Sequence, residues 1–119
     1  MNENDKILDD VKQMLNIHPD EHEFDNDIRV NINGAFLTLH QLGVGFSDTP
    51  FSITNTTTWS EFDTSLPKDT VLDYLFLKVK LVFDPPQTSS VIEAYKNQIS
   101  ELEFRMNIQV DDGGGNVTG

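Results

Sequence analysis

Val71-Leu72-Asp73-Tyr74-Leu75-Phe76-Leu77-Lys78-Val79-Lys80-Leu81-Val82-Phe83, closed by Asp84-Pro85-Pro86, decides the fold. Apolar residues at 72, 75, 76, 79, 82 and 83 follow the i, i+3, i+4, i+7 stripe of a helix with one buried face. The alternating set 75, 77, 79, 81, 83, with Lys78 and Lys80 between, suits a half-buried strand as well. Length favours the helix. Thirteen such residues are long for a strand, Pro67 suits a first helical turn, and tandem prolines end a helix.

Beyond the prolines, Ser90 with Glu93 three residues later forms a capping box, which predicts a second helix starting there. Ile92, Tyr95, Ile99, Leu102 and Met106 line its apolar face. Glu93, Lys96, Asn97, Glu101 and Arg105 take the polar face, with Glu101 and Arg105 at the favourable i, i+4 spacing. The two apolar stripes are expected to pack antiparallel across the corner from Asp84 to Ser89.

Towards the N-terminus, Asn2 or Asn4 is placed to cap a short helix whose face is Ile7, Leu8, Val11, Met14 and Leu15, stopping near Asn16. Ile17-His18-Pro19-Asp20 reads as a turn, with Asp20 available as the next cap. From about Glu21 a longer helix presents Phe24, Ile28, Ile32, Ala35, Phe36, Leu39 and Leu42, and Gly43 supplies a left-handed stop. Gly34 lies inside that helix, where a glycine often marks close packing.

From Phe46 to Thr58 the composition turns to Ser, Thr, Asn, Asp and Pro, a long connection with one short extended piece at Phe51 to Thr54. Thr58-Trp59-Ser60-Glu61 is another capping box, predicting a single turn that delivers Trp59 and Phe62 to the core. The expected fold is all-α: a bundle of about four helices over residues 1–110, a long loop between the second and third, and a flexible Gly/Asp-rich tail over 111–119.

Bulk properties narrow the function. At 119 residues the chain is one domain, and without cysteine it holds no disulfide or zinc-thiolate site. No apolar run approaches a membrane span, and the acidic N-terminus is unlike a signal peptide, so a soluble, unprocessed chain is expected. A formal net charge of −12 disfavours direct nucleic-acid binding, which needs clustered Lys and Arg. It fits a solvated acidic surface or one that sits beside DNA without holding it.

Candidate chemistry is sparse. His18 and His22 stand at i, i+4, but Pro19 breaks their shared face and no third ligand has motif spacing. Gly43-Val44-Gly45 is no dinucleotide fingerprint, and the glycines at 113 to 115 lack the following Lys of a phosphate loop. Asp25, Asp27, Asp111 and Asp112 lack EF-hand spacing. No catalytic set, cofactor site or metal site is expected.

In order and spacing, several segments resemble the head-tail connector (adaptor) proteins of long-tailed bacteriophages and prophages. They are Ile7-Leu8-Asp9-Asp10-Val11-Lys12, Phe24-Asp25-Asn26-Asp27-Ile28, Leu39-His40-Gln41-Leu42-Gly43-Val44-Gly45, Thr58-Trp59 and the run from Tyr74 to Pro86. The likeness covers about residues 5 to 109.

It implies a non-enzymatic virion protein, assembled in the host cytoplasm into a twelve-fold ring in the neck beneath the portal. Its implied partners are copies of itself, the portal protein, and the next connector or a tail-completion protein. DNA passes through without sequence-specific contact, and no membrane is involved. By position, Val110, Asp111, Asp112, Gly113, Asn116 and Val117 are candidates for portal docking. Phe46, Ser47, Asp48, Phe51, Ile53 and Asn55 are candidates for ring or lumen contacts. The alternative from charge alone is an acidic binding module that mimics DNA and occupies a DNA-binding protein.

Overall fold

The computed structural model describes residues 4–45, 48–62 and 66–113, with side chains to Ile108. Four helices appear in chain order: α1 (Ile7–Met14), α2 (Asp25–Gln41), α3 (Lys68–Phe83) and α4 (Ser89–Gly113), with a single 3-10 turn at Trp59–Glu61 between α2 and α3. The all-α bundle expected from the sequence is what the chain forms.

The centre is α3. Val71, Tyr74, Leu75, Leu77 and Val79 are buried, and Leu72, Phe76, Leu81 and Phe83 pack against the core. These positions cover most of the helix circumference, so α3 has neighbours on several sides: α1, α2 and α4 all pack on it. Phe24 at the start of α2 meets Phe83 at the end of α3 edge-on, ring centroids 5.2 Å apart, which sets these helices antiparallel. On the other side the Tyr74 hydroxyl donates to Glu103 Oε2 at 2.7 Å and holds α4 antiparallel to α3. Burial and that carboxylate push the Tyr74 phenol well above its ordinary range.

Two positions in the predicted stripes are corrected. Val82 is 67 % exposed and Phe24 39 % exposed, because both line an open groove where α2 begins and α3 ends.

Helix ends follow from backbone chemistry. After α1, Asn16 takes the left-handed conformation (φ 64°). Ile17 N–H donates to Lys12 O at 2.8 Å and Asn16 N–H to Gln13 O at 3.0 Å, a Schellman closure. Gly43 (φ 86°) closes α2 in the same way, with Val44 N–H donating to Leu39 O at 2.9 Å and Gly43 N–H to His40 O at 3.0 Å. Both stops were legible in the sequence.

The starts differ from expectation. At α1 the cap position is Lys6, not Asn2 or Asn4, and the chain there pairs with the segment before the 3-10 turn. Ile7 N–H donates to Thr57 O at 3.0 Å and Trp59 N–H to Asp5 O at 3.1 Å. At α4, Ser90 lies inside the helix, and the Thr88 hydroxyl accepts from Val91 N–H at 3.4 Å. The Thr58 box is present as read: Glu61 accepts the Thr58 N–H at 2.9 Å, and Trp59 and Phe62 are buried. Trp59 donates its indole N–H to Asp10 Oδ2 at 2.7 Å, pinning the turn onto α1. Burial, partly offset by this bond, pushes the Asp10 carboxyl up.

The later start of α2 has one cause. Lys12 is fully buried, and its ammonium donates to Pro19 O at 3.1 Å and Glu21 O at 2.6 Å. It also meets Asp25 Oδ1 at 2.7 Å, as a close ion pair lacking hydrogen-bond angles. The Glu21 carbonyl, which a helix from Glu21 would use internally, is thus turned towards Lys12, and the cap position of α2 is Phe24, not Asp20. His22 Nδ1 lies 2.8 Å from the other Asp25 oxygen. Burial alone would raise the Asp25 carboxyl, but the close contacts with Lys12 and His22 and their positive charge outweigh it and hold it below the usual range.

Three outcomes test this packing. Gly34 is exposed and an added Cβ would meet nothing within 4 Å, so it marks no close helix contact. Gly34→Ala should therefore stabilise the chain by about 0.5–1 kcal/mol in denaturant titration. Lys12→Met leaves Asp25 buried without its cation and should cost about 3–5 kcal/mol in the same assay.

The pH dependence has a definite sign. A carboxyl held low in the folded state contributes fully above its unfolded value and loses that contribution as pH falls through the folded one. The stability difference between wild type and Asp25→Asn should be large at pH 7 and shrink below about pH 4. A difference that persists undiminished at pH 3 would contradict the ion-pair reading.

Candidate assembly surfaces

Between Val30 and Ser60, Asp48 is the one residue with a formal charge, in a chain carrying 20 acids and 8 bases. That span folds into the second half of α2 and the connection after it. The inner side of α2 buries Ile32, Ala35, Phe36 and Leu39. Its outer side carries Val30 (59 % exposed), Gly34, Leu37 (46 % exposed) and Gln41 at helical spacing. Apolar periodicity in the sequence marks the inner face of α2 and does not mark this one. The scarcity of charge from 30 to 60, broken only by Asp48, was the available signal.

The connection is held against α2 by polar and aromatic contacts. Asn33 acts as a strand mimic: its Oδ1 accepts Ile53 N–H at 2.7 Å and its Nδ2 donates to Ile53 O at 3.3 Å. The expected extended piece at Phe51 to Thr54 is fastened this way instead of by strand pairing. Phe51, Phe36 and Phe62 form a cluster with ring centroids 4.9 to 5.0 Å apart. Thr54 N–H donates to Thr57 Oγ1 at 2.8 Å, and Arg29 donates to Asn55 Oδ1 at 2.8 Å.

Of the candidate ring or lumen residues, Ile53 is buried and Phe51 half-buried in the core, while Asp48 and Asn55 are exposed. Phe46 and Ser47 lie outside the described residues.

At the far end of the chain, Asn107 donates to Leu42 O at 3.2 Å and ties α4 to the end of α2. The helix continues to Gly113, so Val110, Asp111, Asp112 and Gly113 are helical backbone where the sequence reading begins a tail. Asn116 and Val117 lie outside the described residues. From Asn107 to Gly113 the helix advances about 9 Å.

Two surface features stand out from the acidic background. One is a groove of ≈ 410 Å³ where α2 begins and α3 ends, lined by Phe24, Asp27, Val30, Asn31, Val82 and Phe83. The other is on α4, where Phe104 (66 % exposed) and Ile108 (38 % exposed) stand one turn apart, Ile108 and Arg105 lining a shallow concavity with Thr70 and Asp73 of α3. Between α3 and α4 a further concavity of ≈ 430 Å³ is lined by residues including Phe76, Leu77, Tyr95 and Leu102, with Asp73 at its edge. Burial and the neighbouring Asp69 push the Asp73 carboxyl up.

Cations are largely engaged. Lys80 meets Asp84 at 2.8 Å, Arg105 meets Glu101 at 3.0 Å as the sequence spacing predicted, Lys96 lies 3.9 Å from Glu93, and Lys68 donates to Trp59 O at 3.0 Å. His18 and His22 turn to Asp20 and Asp25 respectively. Among the described residues no group of three or more His, Cys, Asp or Glu is placed to hold a metal ion, and no helix is long and apolar enough to cross a membrane.

Comparison with known proteins bears on these surfaces. No curated protein and no solved structure matches the chain. The family model described as phage connector protein matches residues 7–113, from the first residue of α1 to the last of α4, so the match takes in every helix, the pinned connection and both exposed apolar features. The chain belongs to the phage connector protein family.

Proposed function

We propose that this chain is a structural head-tail connector of a tailed phage, which forms a ring beneath the portal, docks the next connector or a tail-completion protein, and lines the channel through which DNA passes. The observation that carries the reading is the family match over all four helices. The connector role and a place in the virion neck follow from the family. The ring, its dodecameric copy number, the portal contact and assembly in the host cytoplasm are the further content of the proposal.

Two physical features support it. A wall with net charge −12 whose cations are mostly engaged by neighbouring carboxylates, amides or carbonyls offers phosphate no cluster of free Lys and Arg, so DNA is repelled and slides. A folded bundle that still leaves large apolar side chains in water has surface to bury against other chains.

Within this reading, the last turns of α4 and the residues after them, from Val110 through Asp111, Asp112 and Gly113 to Asn116 and Val117, are the segment proposed to reach the portal. The exposed part of the α2–α3 connection, with Asp48 and Asn55, is the part proposed to face the ring neighbour or the lumen. The DNA-mimic alternative draws less support, since exposed carboxylates are spread over the 20–27 segment, α3 and α4 instead of following one face.

Negative-stain microscopy of the purified chain, alone and mixed with portal, tests the proposal. Annular particles, or an added ring of density on the portal, are the expected result. Unassociated monomers under both conditions would overturn it.

A further inference from the structure

We propose that Asn33-Gly34 is a self-modification site: when α2 opens locally, the Gly34 backbone nitrogen attacks the Asn33 side chain, and the acid that results cannot close on Ile53 again. Neither the chemistry nor its consequence depends on the connector reading.

The two reacting groups are neighbours in the chain. Asparagine is thermolabile because its side-chain amide lies within reach of the next residue's backbone nitrogen. A β-carbon on that residue obstructs the approach, and glycine has none. Among the asparagines of this chain, only Asn33 is followed by glycine. Gly34 is exposed and an added Cβ would meet nothing within 4 Å, so its backbone nitrogen has open space around it once the helix lets go.

The reaction balances with water alone. The Gly34 nitrogen bonds to Asn33 Cγ and gives up its proton, the side-chain amide leaves as ammonia, and a cyclic imide remains. Water opens that ring at either carbonyl, giving aspartate at position 33 or its isomer, in which the main chain runs through Cγ.

The folded chain holds both groups apart. Within α2 the Gly34 N–H points at the Val30 carbonyl one turn back. Asn33 is half-buried, and its amide is committed to Ile53, accepting the N–H at 2.7 Å and donating to the carbonyl at 3.3 Å. Ile53 is itself buried, and the Phe36–Phe51 contact keeps this part of the connection on the helix. Reaction therefore requires the helix turn and the Ile53 clasp to open together, which is a local unfolding event.

The product does not fit the clasp. A carboxylate keeps an acceptor for Ile53 N–H, but its second oxygen replaces the Nδ2 donor and faces the Ile53 carbonyl, acceptor against acceptor. The added charge enters a chain already at −12. Arg29, one turn earlier on α2 and bonded to Asn26 and Asn55, is the cation that a carboxylate at 33 would draw, at the expense of the Asn55 tie. The isomer inserts a main-chain carbon into α2 and breaks its hydrogen-bond register. Either product loosens the connection from α2, and hydrolysis does not run backwards.

The intact chain, folded or in guanidinium, is warmed in mildly alkaline buffer, and the tryptic peptide from Val30 to Lys68 is followed by mass spectrometry. Asn31, followed by Ile32, is the internal control. In denaturant Asn33 should convert about tenfold faster than Asn31 or more, and folding should slow its conversion by about tenfold or more. Gly34→Ala should slow the conversion in denaturant, which reads the chemistry without disturbing the clasp. Asn33→Asp should keep its helical circular dichroism while chymotrypsin cuts after Phe51 much faster than in wild type. Aged wild-type chain, separated from unreacted chain by ion exchange, gives the same reading where the variant does not fold.

Equal rates in folded and denatured chain, or an Asn33 no faster than Asn31 in denaturant, would overturn the site. Deamidated chain that resists chymotrypsin at Phe51 as wild type does would overturn the broken clasp.

Discussion

Enclosure of α3 is the constraint on which the rest of the structure depends. Val71, Tyr74, Leu75, Leu77 and Val79 point to different sides of one helix and are all buried, so no single neighbour could cover them. Three helices are therefore required around it, and the connections between them are shaped by that need. The tandem prolines turn the chain back so that α4 lies on one flank, and the antiparallel α2 takes another. The small α1 fills what remains, with the Trp59 turn bonded to it. Burial of this order contributes about 1.5–3 kcal/mol for each large side chain, which is what offsets the ordering of a long polar connection.

Around that core, charge is distributed with an economy that bears on assembly. The buried Lys12 is held by two carbonyls and Asp25, so its cost of desolvation is met locally while it organises the turn into α2. Most other cations are answered by nearby groups at the surface. What is left is an acidic exterior interrupted by the uncharged side of α2, the groove beside it and the exposed Phe104 and Ile108 of α4. In a protein whose copies repel one another, these are the places where apolar contact meets least electrostatic resistance.

How much of this was legible in the sequence depended on how local the cause was. The stops at Asn16 and Gly43 and the turn at Thr58 to Glu61 are decided by a few adjacent residues and were read correctly. The helix-or-strand ambiguity of 71 to 83 had a physical origin: a helix covered on several sides loses the clean 3.6-residue alternation that marks a half-exposed one. The start of α2 was misplaced because the Glu21 carbonyl is captured by a lysine from another helix, and a lysine on an amphipathic helix ordinarily reads as surface. Ser90 reads as the cap from its box pattern with Glu93, although the helix already begins at Ser89. Phe51 and Ile53, nominated for contacts with a ring or lumen, went into the core or against it through an aromatic cluster and the Asn33 amide, neither of which spacing along the chain discloses. The groove and the exposed apolar residues of α4 were invisible for a related reason, since exposure is a property of the assembled bundle.

The most direct test is amide hydrogen exchange, followed by mass spectrometry, on the free chain and on its assembled form. If α3 is the enclosed centre of a preformed building block, peptides covering 71–79 exchange most slowly in both states. Exchange in α3 as fast as in α4 in the free chain, with protection appearing throughout only on assembly, would contradict the account.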